Sequence, residues 1–335
     1  MKKEKTQIEV NEISESTKKS MKTRIITAII ALAVVSPFVF VGDWFLFGLI
    51  FIASGIAFWE IVHSTKKDFH PLLYVVTILI GLAYVCFPIL LKISQGNAQD
   101  LVHAFMAFDK LYISISLTFV GIAIFFLGVI LHSKFTVRDA CYIFVFVLLV
   151  SLGFQSILYI RYIPSLLVDR SDVMFDSYFN LFDNLESLSL FAYPLIGTFA
   201  TDIGAYFIGV FFGKHKINER ISPKKTYEGF IGGLVISSLL SFGFAMLLAV
   251  LKHPILPGYL DLEHWYYILI LSLIIPWMAT LGDFTFSAAK RHYDIKDFSN
   301  ILPGHGGVLD RLDSIVFAFI AAAIFISIIT GATFI

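Results

Sequence analysis

Repeated apolar runs of about twenty residues constrain this chain more than anything else in it. They fall at residues 25–41, 44–63, 71–91, 112–132, 140–160, 189–212, 229–251, 265–282 and 314–335. A helix of roughly 20 residues spans a hydrocarbon core about 30 Å thick, so each run is long enough to cross a bilayer. Hydrophobic residues make up 58% of the 335 positions and only 15% are charged. Mean hydropathy is +0.83, and no soluble fold could bury that much apolar surface. The expected fold class is therefore all-α: a polytopic integral membrane protein of about nine transmembrane helices. The 35 Phe and 14 Tyr suit lipid contact and interfacial belts.

A formal net charge of zero conceals a strong asymmetry. If the N-terminus is cytoplasmic, the segments on that side carry 20 of the 25 Lys and Arg. They are the leader, Lys66 and Lys67, Lys134 and Arg138, and the loops 213–228 and 283–313. The other side keeps Lys92, Lys110, Arg161, Arg170 and Lys252. The positive-inside bias thus predicts a cytoplasmic N-terminus and puts both long basic loops where nucleotides are. Residues 1–24 are charged and aperiodic, which predicts a disordered leader. The leader is long and partly acidic and lacks a small-x-small cleavage site, so the first run is expected to be retained as a helix. Three units follow: the leader 1–24, helices one to five with an acidic outer loop (25–188), and helices six to nine with their loops (189–335). No internal repeat or second soluble domain is evident. Cys86 and Cys141 sit inside apolar runs without ligand spacing and read as small fillers.

Against this background the stretch Ser287–Asp313, SAAKRHYDIKDFSNILPGHGGVLDRLD, is oddly polar. If helix eight continues past Asp283, then Asp283, Ser287 and Lys290 share one face. Asp310, Asp313 and Ser314 would cluster on the first turn of helix nine. Two carboxylates on adjacent helices beside Lys and Arg suit a hard cation that completes its shell with phosphate oxygens. Pro303, Gly304, Gly306 and Gly307 allow a tight turn whose exposed amides could approach a phosphate, with His305 as a proton donor, phosphate ligand or loop hydrogen-bonder. In the loop 213–228, Ser222-Pro223 reads as an N-cap followed by Pro at the first helical position. With Lys224, Lys225 and Thr226 beside it, that helix start would bind an anion. The run Gly209–Lys214 lacks Walker A spacing, and Gly229 and Gly233 read as helix-packing glycines. Asp202, inside the sixth run, needs a partner or a wet cleft and is a functional candidate, with Tyr206 one turn on. Glu60, near the end of the second run, reads as an interfacial anchor.

These residues resemble the phosphatidate cytidylyltransferase (CDP-diacylglycerol synthase) family. Ser287, Lys290, Arg291, Lys296, Asp297, Ser299, Leu302, Pro303, His305, Gly306, Gly307, Val308, Asp310, Arg311, Leu312 and Asp313 match its signature in register. Ala289 departs from it, at a position facing lipid or core. The segment SPKKTYEG, with Glu228, and the trio Asp202, Ala205 and Tyr206 are also similar, so the likeness covers the C-terminal half. The resemblance implies transfer of the cytidylyl group of CTP to phosphatidate, giving CDP-diacylglycerol and pyrophosphate for phospholipid synthesis, with Mg²⁺ and room for a second cation. It implies metal at Asp283 and Asp310, and nucleotide contacts at Ser222, Lys224, Lys225, Thr226, Glu228, Gly306, Gly307 and Asp202. The catalytic set would be Asp283, Lys290, Arg291, His305, Asp310, Arg311 and Asp313. It also implies a multi-pass protein of the plasma membrane with a cytoplasmic site, a homodimer, and no nucleic-acid partner.

The chemistry agrees. The attacking phosphate is already an anion, so the barrier is repulsion between anions, which cations relieve while aligning an in-line displacement. A CTP-dependent polyprenol kinase is a second reading, but its alcohol nucleophile needs a base. A transporter coupled through Asp202 and Glu60 leaves the 283–313 pattern unexplained.

Overall fold

The computed structural model describes residues 15–94, 102–167 and 181–331. Among the described residues, nine helices run in order: α1 (Glu15–Val41), α2 (Asp43–His63), α3 (Pro71–Ser94), α4 (Val102–Leu131), α5 (Val137–Leu167), α6 (Leu181–Phe212), α7 (Tyr227–Val250), α8 (Trp265–His292) and α9 (Leu309–Thr330). Among the described residues, seven helical stretches are long and apolar enough to cross a membrane. The apolar stretches Pro71–Cys86 and Ile115–Leu131 are shorter. The chain is an all-α polytopic membrane protein, and bulky apolar side chains such as Leu32, Phe119, Ile130 and Ile328 point outward, as lipid contact requires.

Several boundaries differ from those expected. The first helix begins at Glu15, ten residues upstream of the first apolar run, so at least 15–24 of the expected disordered leader is helical. Its Glu, Lys and Met are good helix formers able to extend a helix already nucleated by the apolar run. Residues 1–14 lie outside the described residues, as do Asp169, Asp172 and Asp176 of the acidic outer loop. Cys141 is exposed on α5, and Cys86 is partly buried.

The tightest pairing is α6 with α7. Every fourth residue on the buried face of α7 is small: Gly229, Gly233, Ser237, Ser241, Ala245 and Ala249. This stripe lets the two backbones approach, as small residues do between membrane helices. A Cβ on Gly229 would meet the Ala205 carbonyl at 2.7 Å, and one on Gly233 the Thr201 carbonyl at 2.7 Å. The Ser237 hydroxyl donates to the Gly197 carbonyl across the same seam at 2.7 Å. The two glycines therefore do pack helices, as expected. Likewise α8 and α9 meet where a Cβ on Gly282 would collide with the Asp313 carbonyl.

One end of the bundle collects the basic loops. Lys66 Nζ donates to the Asp294 carbonyl at 2.7 Å, and Lys67 pairs with buried Asp139 at 2.6 Å. Thr27 Oγ1 donates to the Pro303 carbonyl at 2.9 Å. Lys290, Arg291 and His292 occupy the last turn of α8, where positive charge complements the free carbonyls. A short repeat that the sequence reading overlooked also appears. Ile255–Gly258 and Ile301–Gly304 both read Ile-Leu-Pro-Gly. Each closes a small turn, with bridges Leu256–Leu260 and Leu302–Gly306 and Gly φ of 77° and 75°. Each turn leads into a helix, α8 or α9.

Candidate active site

The loop before α7 is a β-hairpin, not the helix start expected at Ser222. Strand β1 (Lys216–Asn218) pairs antiparallel with β2 (Ser222–Thr226). The Asn218 side chain accepts from the amides of Arg220 and Ile221 at 3.1 and 3.3 Å, an Asx-type closure of the tip. Ser222 and Pro223 are consequently extended, and the N-cap of α7 is Thr226, whose Oγ1 accepts from the Gly229 amide at 3.2 Å. Pro223 fixes only its own φ, and that value fits a strand as well as a helix start. Glu228 fastens the hairpin base: it accepts from the Lys214 and His215 amides at 3.0 and 3.2 Å and meets His215 Nδ1 at 2.6 Å. Its role is thus to shape the hairpin. Lys224 is exposed, with no hydrogen bond to the described residues.

The hairpin brings Lys225 onto α8. Its ammonium contacts Asp283 Oδ2 and stands over the Phe284 ring, 4.4 Å from the centroid. Ser287 donates to Asp283 Oδ1 at 3.2 Å, so Asp283 and Ser287 share a helical face as expected. Asp202 of α6 lies within the fields of Asp283, Lys225 and Arg311. Asp313 of α9 lies within those of Asp283, Lys290 and Asp202. Charged residues from α6, β2, α8 and α9 thus lie near enough to act on one another, and we term the space they face the cleft. Arg291 points elsewhere, holding the hairpin by donating to the Ile221 carbonyl at 3.4 Å and its own turn through Ile295 at 3.0 Å.

Lys290 turns toward α9 and pairs with Asp310 at 2.7 Å, with side chains 11% and 2% exposed. The other Asp310 oxygen accepts from the amides of Phe298 and Gly307 at 2.8 and 3.0 Å. Asp310 therefore sits at the knot of the loop before α9, its acceptor positions largely taken.

The glycine loop corrects a second expectation. Its amides do not lie open for a phosphate. Those of His305 and Gly306 donate to the Leu302 carbonyl at 2.9 and 3.1 Å. The Gly307 amide goes to Asp310, and those of Val308 and Leu309 go to Glu60 at 2.9 and 2.8 Å. Buried amides far from water must find acceptors, and here two carboxylates supply them. The glycines remain necessary: Gly306 has φ 88°, and a Cβ on Gly307 would collide with the Glu60 carboxylate. His305 Nδ1 is buried with no hydrogen-bond partner among the described residues.

Glu60 is the residue that the sequence reading undervalued. It is 0% exposed and accepts from Ser299 Oγ at 2.6 Å besides its two amides. The available signal was a lone carboxylate in the apolar run 44–63, of the kind that marks function inside a membrane.

Comparison with known proteins agrees with the geometry. The Cytidylyltransferase family matches residues 22–329. A phosphatidate cytidylyltransferase of Staphylococcus haemolyticus is 31% identical over 297 residues, 89% of this chain and 95% of that protein. One from Staphylococcus aureus (strain COL) is 30% identical over 298 residues, with the same coverage. One from Bacillus subtilis is 44% identical over 142 residues, 42% of this chain and about half (49%) of that protein's length. A match over nearly the whole chain, with the polar 283–313 segment inside it, means that this protein belongs to the cytidylyltransferase family.

Proposed function

We propose that the protein transfers the cytidylyl group of CTP to phosphatidate, forming CDP-diacylglycerol and releasing pyrophosphate. The observation that carries this reading is the convergence of Asp202, Lys225, Asp283, Arg311 and Asp313 from four separate elements at the loop-bearing end of an apolar bundle. A lipid phosphate at headgroup depth and a nucleotide from water can meet there. A phosphatidate oxygen attacks the α-phosphorus, and the bond to the pyrophosphate oxygen breaks as the new P–O bond forms. Both reactants are anions, so no strong base is needed. Lys225, Lys290 and Arg311 offset the charge, and the rigid hairpin holds the nucleotide in line. Lys224 and Ser222 extend that surface along β2.

The residues fit Mg²⁺, which takes one or two carboxylates and completes its octahedron from phosphate and water. Asp283 is partly exposed and already holds a cationic group in Lys225. No group of three or more His, Cys, Asp or Glu among the described residues forms a complete metal nest, so phosphates would supply the remaining ligands. Asp283 would hold the cation, and Asp310 would be its second carboxylate with Lys290 directed to phosphate; the cation would supply charge neutralisation of the phosphates. We take the enzyme to span the plasma membrane nine times with its N-terminus and active site cytoplasmic, as the Lys and Arg distribution supports, and to work as a homodimer on the family resemblance.

The test uses the purified chain in detergent with CTP labelled in turn in the cytidine and in the γ-phosphate, plus phosphatidate. Expected is a chloroform-soluble cytidine product with pyrophosphate release, dependent on Mg²⁺. Transfer of the γ-label to a lipid alcohol, or no turnover at all, would sink the assignment.

A further inference from the structure

Glu60 stands on α2, yet its carboxylate bonds to both ends of the loop before α9. Its Oε1 accepts from Ser299 Oγ at 2.6 Å and from the Val308 amide at 2.9 Å. Its Oε2 accepts from the Leu309 amide at 2.8 Å. One side chain of α2 thereby grips both ends of the segment 299–309, some 240 positions away in sequence. The Val308 and Leu309 amides belong to the first turn of α9, where free N–H groups and the helix dipole concentrate positive potential.

We infer that Glu60 is a positioning residue for cytidylyl transfer: a built-in anion that occupies the N-terminus of α9 and fixes the loop carrying His305 and, with it, the first turn of α9 that bears Asp310 and Arg311. The inference rests on the reading of the cleft as a cytidylyltransferase site. Three observations carry it. The carboxylate takes up the Val308 and Leu309 amides at the start of α9, so those two donors are not open to a substrate phosphate. Its bulk sets the requirement for glycine at 307, since a Cβ there would collide with it. And it shares its task with Asp310, which takes the neighbouring amides of Phe298 and Gly307. The two acids hold consecutive stretches of one loop, one from outside and one from within. The α2 end is itself held: Ser64 Oγ bonds Tyr142 Oη at 2.9 Å, and Lys66 donates to the Asp294 carbonyl at 2.7 Å. The N-terminal helices thus reach the segment before α9 through Thr27, Lys66 and Glu60, and Glu60 is the one that accepts from its backbone amides.

Charge and acceptor geometry distinguish this role from mere filling of space. A glutamine has the same shape, but its NH₂ would face one of two amides that can only donate. The experiment compares the full-length protein with Glu60→Gln, Glu60→Ala and Ser299→Ala, following kcat, KM for CTP, melting temperature in detergent, and hydrogen exchange over 299–312. Expected for Glu60→Gln is a fall in kcat of about 10²-fold, the cost of displacing reacting groups by an ångström. KM for CTP should change little, exchange over 299–312 should quicken, and the melting temperature should fall, because a buried donor is left facing a donor. Ser299→Ala should show a smaller drop of the same kind. Sodium formate should restore part of the Glu60→Ala rate saturably, with no more than the rise in melting temperature that its binding itself brings. Wild-type kcat in Glu60→Gln would overturn the inference. So would rate loss that only tracks a lower melting temperature and is not rescued by formate. Absence of turnover in the wild type would strike the underlying reaction instead, and the exchange measurement would still report on the anchor.

Discussion

Asp283 and Asp310 are both acids beside lysines at the α8–α9 junction, yet their surroundings give them different work. Asp283 is 23% exposed and its lysine partner 30%. A pair this open to the cleft contributes about 0–1 kcal/mol to folding, so its placement is better explained by what it faces. Asp310 is 2% exposed and satisfies an ammonium and two amides. Removing one partner of so buried a pair typically costs about 3–5 kcal/mol. The two Asn variants should therefore separate. Asp283→Asn should lower turnover by about 10²-fold or more with an unchanged melting temperature. Asp310→Asn should lose turnover and also melt markedly earlier. Steady-state assays and thermal melts in detergent check this, and equal melting temperatures would count against the structural role of Asp310. The shared helical face of Asp283 and Ser287 was legible in the sequence, because their i, i+4 spacing predicts it. Which acid is committed to backbone amides was not, since those amides lie in a loop whose path depends on α2.

At the scale of elements, the hairpin β1–β2 and the seam between α6 and α7 act together. The hairpin leads directly into α7, so the height of α7 against α6 sets where Lys225 lands on Asp283. Sequence patterning exposed the small-residue seam, because glycines at i and i+4 in an apolar run have a known use. It did not expose the hairpin. Ser-Pro before Lys-Lys suits either a helix start or an extended strand, and the deciding contacts, Asn218 at the tip and Glu228 at the base, lie within the hairpin and form only once it closes. Gly233→Val should push the helices apart at the Thr201 carbonyl, lowering stability by about 1–3 kcal/mol. It should also raise KM for CTP by shifting the hairpin. Thermal melts and kinetics on the purified variant measure both, and a variant with normal stability would mean that the seam is looser than it looks.

At the scale of the whole molecule, the segments expected on the cytoplasmic side gather at one end of the bundle: the start of α1, the α2–α3 turn, the hairpin and the loop before α9. Basic residues attracted to one membrane face and a site that needs cations for its phosphates occupy the same place. A single cysteine at Glu219 on the hairpin, in a background with Cys86 and Cys141 replaced by serine, should react with an impermeant maleimide in inside-out vesicles and not in intact cells. A reporter fused after Ile335 should be extracytoplasmic. The opposite labelling pattern would invert the proposed orientation.

The sequence by itself determined the membrane class, the helical content, the sidedness expected of the loops, and the family, because apolar run length, Lys and Arg distribution and motif register are all one-dimensional properties. Tertiary structure alone decided that Glu60 of α2 closes the loop before α9, that the glycine-loop amides are spent on carboxylates, and that Lys225 reaches Asp283. The Glu60 and Lys225 contacts join positions tens to hundreds of residues apart. A buried polar group takes whichever partner the packing brings to it, and no local pattern encodes that choice.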